Sequence, residues 1–323
     1  MPDLRVASLI PSATEIVCAL AGRETLVARS HECDHPPGVH ALPALTEPKI
    51  PLDGSSREID ARVRSLLEDA LSVYRVDADH LQDLRPDVIL TQTQCDICAV
   101  HLRDVQTAVC SWMDPEPEVV ALEPTCLADV WSDIERVGDA LGRAAAGRAL
   151  VRSLTDRMRA LERQTPPADD PDAPTVACIE WVDPLMLARG WMPELVRRAG
   201  GVPVAAGETP PPTGEAAWER LQRSDPDAIV VMACGFGIER TVRELPALTG
   251  HLAWDDLQAV RNGRVAVADG NHYFNRPGPR LVESLQILAE ILHPSHVAPA
   301  LREEAWIVPA PVPKSPSPAR SSA

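Results

Sequence analysis

The 323-residue sequence predicts an α/β protein with two Rossmann-like lobes, each built on a parallel sheet, joined by one long rigid helix. Three observations predict it. Short apolar runs that read as buried strands alternate with helical runs in both halves, the pattern of parallel sheets. Residues 125 to 163 carry apolar side chains at steps of three and four, as in one long amphipathic helix or two nearly collinear ones. A Pro- and Asp-rich linker, 164 to 174 (QTPPADDPDAP), then precedes a second round of alternation.

In order along the chain, Val6 to Ile10 reads as a strand. Pro11-Ser12-Ala13-Thr14-Glu15 opens a helix with Ser12 as N-cap, and Gly22 ends it. Thr25 to Ala28 is the second strand, 36 to 54 a Pro-rich loop, and 57 to 84 helical. Asp87 to Gln92 is a strand, Ala99 to Thr107 a short helix and Ala108 to Trp112 another strand. Leu127, Val130, Ile134, Val137, Leu141, Leu150, Leu154, Met158 and Leu161 mark the apolar face of the connecting helix. Beyond the linker, strands are expected at Val176 to Trp181, Ala228 to Ala233 and Arg264 to Ala268. Helices are expected at Met192 to Ala199, Ala216 to Arg223, Arg240 to Leu245 and Pro279 to Leu292. The two halves echo each other: Leu84-Arg85-Pro86-Asp87-Val88-Ile89-Leu90 matches Ser224-Asp225-Pro226-Asp227-Ala228-Ile229-Val230, where Pro stops a helix and an apolar run enters a sheet. The implied domains are an N-terminal lobe (1–119), a connecting helix (120–165), a C-terminal lobe (166–294) and a disordered Pro-, Ser- and Ala-rich tail (295–323).

Composition narrows the function. With 47 acidic against 31 basic residues the net charge is −16, which repels phosphate backbones and argues against nucleic-acid binding. No apolar segment reaches transmembrane length. The N-terminus shows no positive n-region or apolar h-region, so the sequence alone predicts a cytoplasmic protein; a monomer is expected. Its eight cysteines fit that compartment as free thiols, with Cys18, Cys110, Cys178 and Cys234 inside apolar runs.

Candidate site residues collect where strands end. In open α/β sheets, ligands sit at the carboxyl ends of strands. Ser12 lies there in the first half, with two chemistry-bearing stretches, Ser30-His31-Glu32-Cys33-Asp34 and Gln94-Cys95-Asp96-Ile97-Cys98. Cys95 and Cys98 form a C-x-x-C pair. The spacing suits a zinc-type site completed by His31 and Cys33, thiols facing an organic ligand, a redox dithiol, or a structural coincidence. In the second half the strand ends carry Trp181, Phe236 and the run Asn271-His272-Tyr273-Phe274-Asn275-Arg276, with Trp191 just beyond. The chain has only seven Trp, two Tyr and two Phe, so this gathering points to a flat, apolar ligand. No Gly-x-Ser-x-Gly elbow, Walker loop or dinucleotide fingerprint is present, and a binding protein rather than an enzyme is expected.

Several of these motifs together resemble the substrate-binding proteins of ABC importers for cobalamin and iron-siderophores. They are Arg5-Val6-Ala7-Ser8-Leu9-Ile10-Pro11-Ser12-Ala13-Thr14-Glu15, the two Pro-Asp strand entries, Pro193-Glu194-Leu195-Val196 with Gly200-Gly201, and Tyr273-Phe274-Asn275-Arg276-Pro277. The resemblance implies two lobes joined by a rigid helix, a ligand held in the cleft between them and an ABC permease as partner. By similarity, Tyr273 would pack on a corrin ring and Trp181 would be a second aromatic of the same pocket. Trp191 and Phe274 would add apolar contact, and Asn275 and Arg276 would hydrogen-bond amides at the ligand's rim. Ser12, His31, Glu32, Cys33, Gln94, Cys95, Asp96 and Cys98 would face them with polar or metal-directed contacts. The missing leader and the first-lobe thiols turn the expectation toward a cytoplasmic corrinoid-binding role. The alternatives are a zinc-type protein using His31, Cys33, Cys95 and Cys98, and a thiol oxidoreductase using Cys95 and Cys98.

Overall fold

The first sheet forms around two short central runs, Val6–Ser8 and Val88–Leu90, that are buried on both faces, as the middle of a parallel sheet requires. In the computed structural model, which describes residues 4–68, 73–93, 116–206 and 212–310, it has the order β2-β1-β5-β6. These strands are β1 (Val6–Ser8), β2 (Leu26–Arg29), β5 (Val88–Gln92) and β6 (Glu118–Leu122), all paired in parallel. Val6, Ala7, Ile89 and Leu90 are sealed in the core. A separate antiparallel pair joins β3 (Thr46–Pro48) to β4 (Tyr74–Val76). Helix α1 (Pro11–Ala19) starts with Pro11 in its first turn, the position where a missing N–H costs nothing. Its N-cap is therefore Ile10, not Ser12, which is buried in the first turn. The expected helix over 57–84 is α2 (Ser56–Glu68), then β4, then α3 (Ala78–Leu84). The helix expected at 99–107 and the strand at 108–112 lie outside the described residues.

The long connecting helix is a pair. Helix α4 (Leu127–Ala140) and helix α5 (Ala144–Glu162) are separated by Leu141–Arg143, where Gly142 adopts φ +65°. They are not collinear, because α5 turns back onto α4. A Cβ on Gly138 would meet the Gly147 Cα at 3.2 Å, and one on Gly147 would meet the Glu135 Cα at 3.4 Å. Two glycines let the helix backbones approach this closely. Residues 120–122, expected within that helix, belong to β6 instead.

The chain divides into two compact units. Unit 1 comprises residues 1–54, 58–158 and 276–282; unit 2 comprises 55–57, 159–275 and 283–323. The division falls inside α5. The sheet of unit 2 centres on β7 (Thr175–Trp181), paired in parallel with β10 (Ala228–Val231), which pairs in parallel with β11 (Val265–Ala268). Along its other edge, β7 takes antiparallel β8 (Met186–Leu187) and parallel β9 (Val202–Pro203). Helices α6 (Met192–Arg198), α7 (Glu215–Ser224), α8 (Ile238–Thr249), α9 (Gln258–Arg261) and α10 (Leu281–Leu292) complete the unit, α10 entering from unit 1.

The expected disordered tail is structured through its first part. Strand β12 (Trp306–Ile307) closes the sheet antiparallel to β11. The reason is a buried acid: Glu290, fully sealed on α10, accepts the Trp306 indole N–H at 2.8 Å and the Ala300 and Leu301 amides at 3.1 and 3.2 Å. Pro-rich composition concealed this anchor. No helix among the described residues is long and apolar enough to cross a membrane.

Candidate functional site

In unit 1, the loop after β2 carries Ser30 to Asp34 at the carboxyl edge of the sheet. Its most buried member is Cys33, which has no exposed surface and packs its thiol 3.0 Å from Thr14 Oγ1. Burial pushes that thiol up to about 11, so it stays protonated and faces the interior. Cys33 is therefore part of the interior of unit 1 and is not presented at the loop surface. Ser12 is 5% exposed and sits beneath Gly278, where even a Cβ would lie 3.6 Å from its carbonyl. It too is covered.

His31 points inward. Its Nδ1 lies 2.7 Å from Thr46 Oγ1, and its amide donates to the same oxygen at 3.0 Å. Its Nε2 is buried without a hydrogen-bond partner. Burial and nearby Arg29 lower its pKa, which keeps the imidazole neutral. The ring lies 5.3 Å from that of Tyr74 on β4. Glu32, partly exposed, hydrogen-bonds Tyr74 through its side chain. Arg276 pins the loop. It donates to Asp34 through both oxygens, to the Glu32 carbonyl at 3.3 Å and to Glu15 on α1 at 3.3 Å. At 5% exposure it is spent inside the protein rather than offered to a ligand's rim.

Gln94, Cys95, Asp96 and Cys98 lie outside the described residues. Among the described residues no group of three His, Cys, Asp or Glu side chains is placed to hold a metal ion. Of the zinc-type set, only His31 and Cys33 fall among the described residues, and Cys33 is buried.

In unit 2, the loops after β7, β10 and β11 gather rings. Trp181 ends β7, and its ring meets Phe236 of the β10–α8 loop at 5.2 Å and a 46° tilt. The Trp181 indole donates to the Asp183 carbonyl at 3.2 Å, which fixes the ring's orientation. Arg240, in the first turn of α8, lays its guanidinium 4.7 Å from the Phe236 centroid, a cation–π contact. After β11 the chain makes a π-helical turn, Gly270–Phe274. Only Gly fits at its start, because a Cβ there would lie 2.2 Å from the Ala233 carbonyl oxygen. Asp269 caps the turn, accepting the His272 amide at 2.8 Å and meeting His272 Nδ1 at 2.7 Å. Tyr273 is partly exposed on this turn.

The remaining aromatic expectations are overturned by packing. Phe274 is 1% exposed, and Trp191, 9% exposed, donates its indole N–H to the Phe274 carbonyl at 3.1 Å. Both belong to the interior of unit 2. Asn275 spends its amide on the Gly270 carbonyl at 2.8 Å, bracing the π-turn. Trp181 and Tyr273 remain as ring surface, with Phe236 behind Trp181. Sequence reading missed Tyr74, because a three-residue strand inside a helical-looking stretch carries no periodic signal. It also passed over Arg240 and Asp269. The spacing Asp269-x-x-His272 was the signal available for the second.

The model of a family described as "Periplasmic binding protein" matches residues 6–271. A curated relative, the uncharacterized ABC transporter substrate-binding lipoprotein YvrC of Bacillus subtilis (strain 168), is 21% identical over 302 residues, covering 90% of this chain and 80% of that protein. Among solved structures, the periplasmic heme-binding protein RhuT from Roseiflexus sp. RS-1 aligns with a TM-score of 0.67 at 20% identity, covering 91% of this chain and 99% of that one. The periplasmic vitamin B12 binding protein BtuF of Vibrio cholerae aligns with a TM-score of 0.63 at 20% identity, covering 90% and 97%. At such identity these two structures show the fold. The expectation of a cytoplasmic protein is corrected by these matches, since the family is a periplasmic one and the curated relative a lipoprotein.

Proposed function

Since this chain belongs to the periplasmic binding protein family, a family of binding proteins and not of enzymes, we propose that it carries a cobalamin-like corrinoid to an ABC importer outside the cytoplasm. The observation that carries the choice of ligand is the ring surface of unit 2. Trp181 backed by Phe236, with Tyr273 after β11 at the same end of the sheet and β10 between the two strands, offers flat apolar area to a large conjugated ring. The solved B12- and heme-binding relatives of like fold support a tetrapyrrole-type cargo. One feature favours a second ligand, haem. The Asp269 carboxylate on His272 Nδ1 is the arrangement that orients metal-ligating imidazoles.

The test is titration of the purified protein with cyanocobalamin, haemin and a ferric hydroxamate siderophore, followed by tryptophan fluorescence and visible absorption. Cyanocobalamin is expected to bind with a Kd of about 1 μM or tighter, some −8 kcal/mol. Binding of haemin alone would replace the corrinoid by haem. Binding of the siderophore alone, or of none of the three, would end the tetrapyrrole reading.

A further inference from the structure

The pairing of β12 with β11 continues past the sheet. The ladder runs through Val267–Ile307 and Ala268–Trp306, and its next rung joins the Ala305 carbonyl to the Asp269 amide at 2.9 Å. Asp269 caps the π-helical turn Gly270–Phe274, so this rung lies at the base of the segment that carries Tyr273. Two further bonds hold the turn. The Asn271 amide donates to the Phe236 carbonyl at 3.1 Å, and the Ser284 hydroxyl of α10 donates to the Tyr273 carbonyl. All of these residues belong to unit 2.

The strap that supplies the Ala305 carbonyl is weak by itself. Arg302, Glu303 and Glu304 are exposed, and two residues of edge strand are marginal without other support. Its fixed points are Ala305 and Trp306, both buried. Trp306 donates its indole N–H to the sealed Glu290 of α10 at 2.8 Å, and the Leu301 amide donates to the same carboxyl group at 3.2 Å. Inside the strap, the Ala305 amide donates to the Leu301 carbonyl at 2.8 Å, and the Glu303 amide to the Trp306 carbonyl at 2.8 Å. The Ala305 carbonyl is therefore placed by contacts that lead back to Glu290. A segment that only closed the sheet edge would need no rung beyond Ala268; this one reaches into the turn.

We propose that Trp306 is a positioning residue for ligand binding: anchored on Glu290, it fixes the Ala305 carbonyl against the Asp269 amide and so sets the turn that carries Tyr273. This rests on the ring-binding function proposed above and adds to it a residue that acts through Tyr273 without touching the ligand. The Phe236 and Ser284 bonds remain when the strap is lost, so the turn loosens rather than unfolds. Affinity is then reduced, not abolished.

The test uses Trp306→Phe, which keeps an aromatic ring and deletes the indole donor. Hydrogen exchange read by mass spectrometry needs no ligand. Peptides covering Asp269 to Tyr273 are expected to exchange about tenfold faster, the size of one lost hydrogen bond, while peptides from β7 and β10 keep wild-type rates. Wild-type exchange across the turn, or equal acceleration throughout unit 2, would overturn the positioning role. The second arm is a binding cycle of wild type, Trp306→Phe, Tyr273→Leu and the double variant. Each is titrated to about 100 μM with whichever of cyanocobalamin, haemin or the ferric siderophore the wild type binds. Trp306→Phe is expected to weaken binding about fivefold in the wild-type background but less than about twofold beside Tyr273→Leu, because its effect passes through that side chain. Equal losses in both backgrounds assign Trp306 to general stability, and no loss in either leaves the strap without a part in binding; each result overturns the proposal. Failure of the wild type to bind any of the three ends the functional reading, and ligand positioning with it, while the exchange result stands, so the two failures are told apart.

Discussion

Arg276 reaches four oxygens: Glu15 Oε1, both carboxylate oxygens of Asp34 and the carbonyl of Glu32. A planar fork with five donors can serve such a set, and a lysine ammonium cannot match its bidentate half. The residue therefore positions the Ser30–Asp34 loop and does not touch ligand. Arg276→Met deletes a buried cation whose partners are carboxylates, and a loss of about 3–5 kcal/mol in urea unfolding is expected. Arg276→Lys keeps the charge without the fork and is expected to lose about 1–3 kcal/mol. A Met variant within about 0.5 kcal/mol of wild type would mean that the clamp does not hold the loop. This role was not legible in the sequence. Asn275-Arg276 follows a ring-bearing run, so the arginine looked like part of the ligand rim. What decides its role is that residues 276–282 enter unit 1, where Glu15 and Asp34 wait, and nothing local to position 276 records that.

Helix α4 carries a polar fault in an otherwise apolar face. Asp133 is 4% exposed, accepts from Arg136 at 2.9 Å through Oδ1 and leaves Oδ2 buried without a hydrogen-bond partner. Burial, outweighing Arg136, pushes its carboxyl up to about 6. An unfolded Asp titrates near ~3.9, so the folded state binds this proton more tightly than the unfolded state does. The group's favourable contribution is therefore complete below about pH 4 and is lost as pH rises through about 6. Asp133→Asn keeps the Arg136 contact without the charge. Urea unfolding at about pH 7.5 is expected to show it more stable by about 1–2 kcal/mol, with the advantage vanishing near pH 4. An advantage that persists unchanged at pH 4 would assign the effect to packing rather than to the charge. At this scale much was legible. The three-and-four spacing of Leu127, Val130, Ile134 and Val137 located the apolar face of α4, and all four are buried. The spacing left one helix or two nearly collinear ones open; the break at Gly142 was not located because a single glycine interrupts the pattern too little, and the turn of α5 onto α4 rests on Gly138 and Gly147, which act through contact between helices.

The whole chain is organised around two cores, and the sequence signalled them unequally. The repeated Pro-Asp entry into an apolar run marked β5 and β10, one in each sheet, because a helix stop followed by a doubly buried strand is written in adjacent residues. The closing strand β12 left no such trace. Two residues form it, and its stability comes from Trp306, 5% exposed, whose indole is bound by the sealed Glu290 sixteen residues earlier. The ring surface at Trp181 and Tyr273 was legible from the placement of scarce aromatics at strand ends. The burial of Trp191 and Phe274 was not, since the same pattern describes a ring that faces ligand and one that plugs the core. If each core is held by its own contacts, perturbations in the two have no common partner. Trp306→Ala in unit 2 opens a cavity and removes one of the donors that hold the sealed Glu290, an expected cost of about 3–5 kcal/mol. Asp133→Asn in unit 1 is expected to stabilise, as above. Their effects should then add to within about 0.5 kcal/mol in the double variant, measured by urea unfolding at pH ~7.5. A coupling energy above about 1 kcal/mol would show that the two cores share a single network, and the division of the chain at Met158 and Arg159 would lose its energetic meaning.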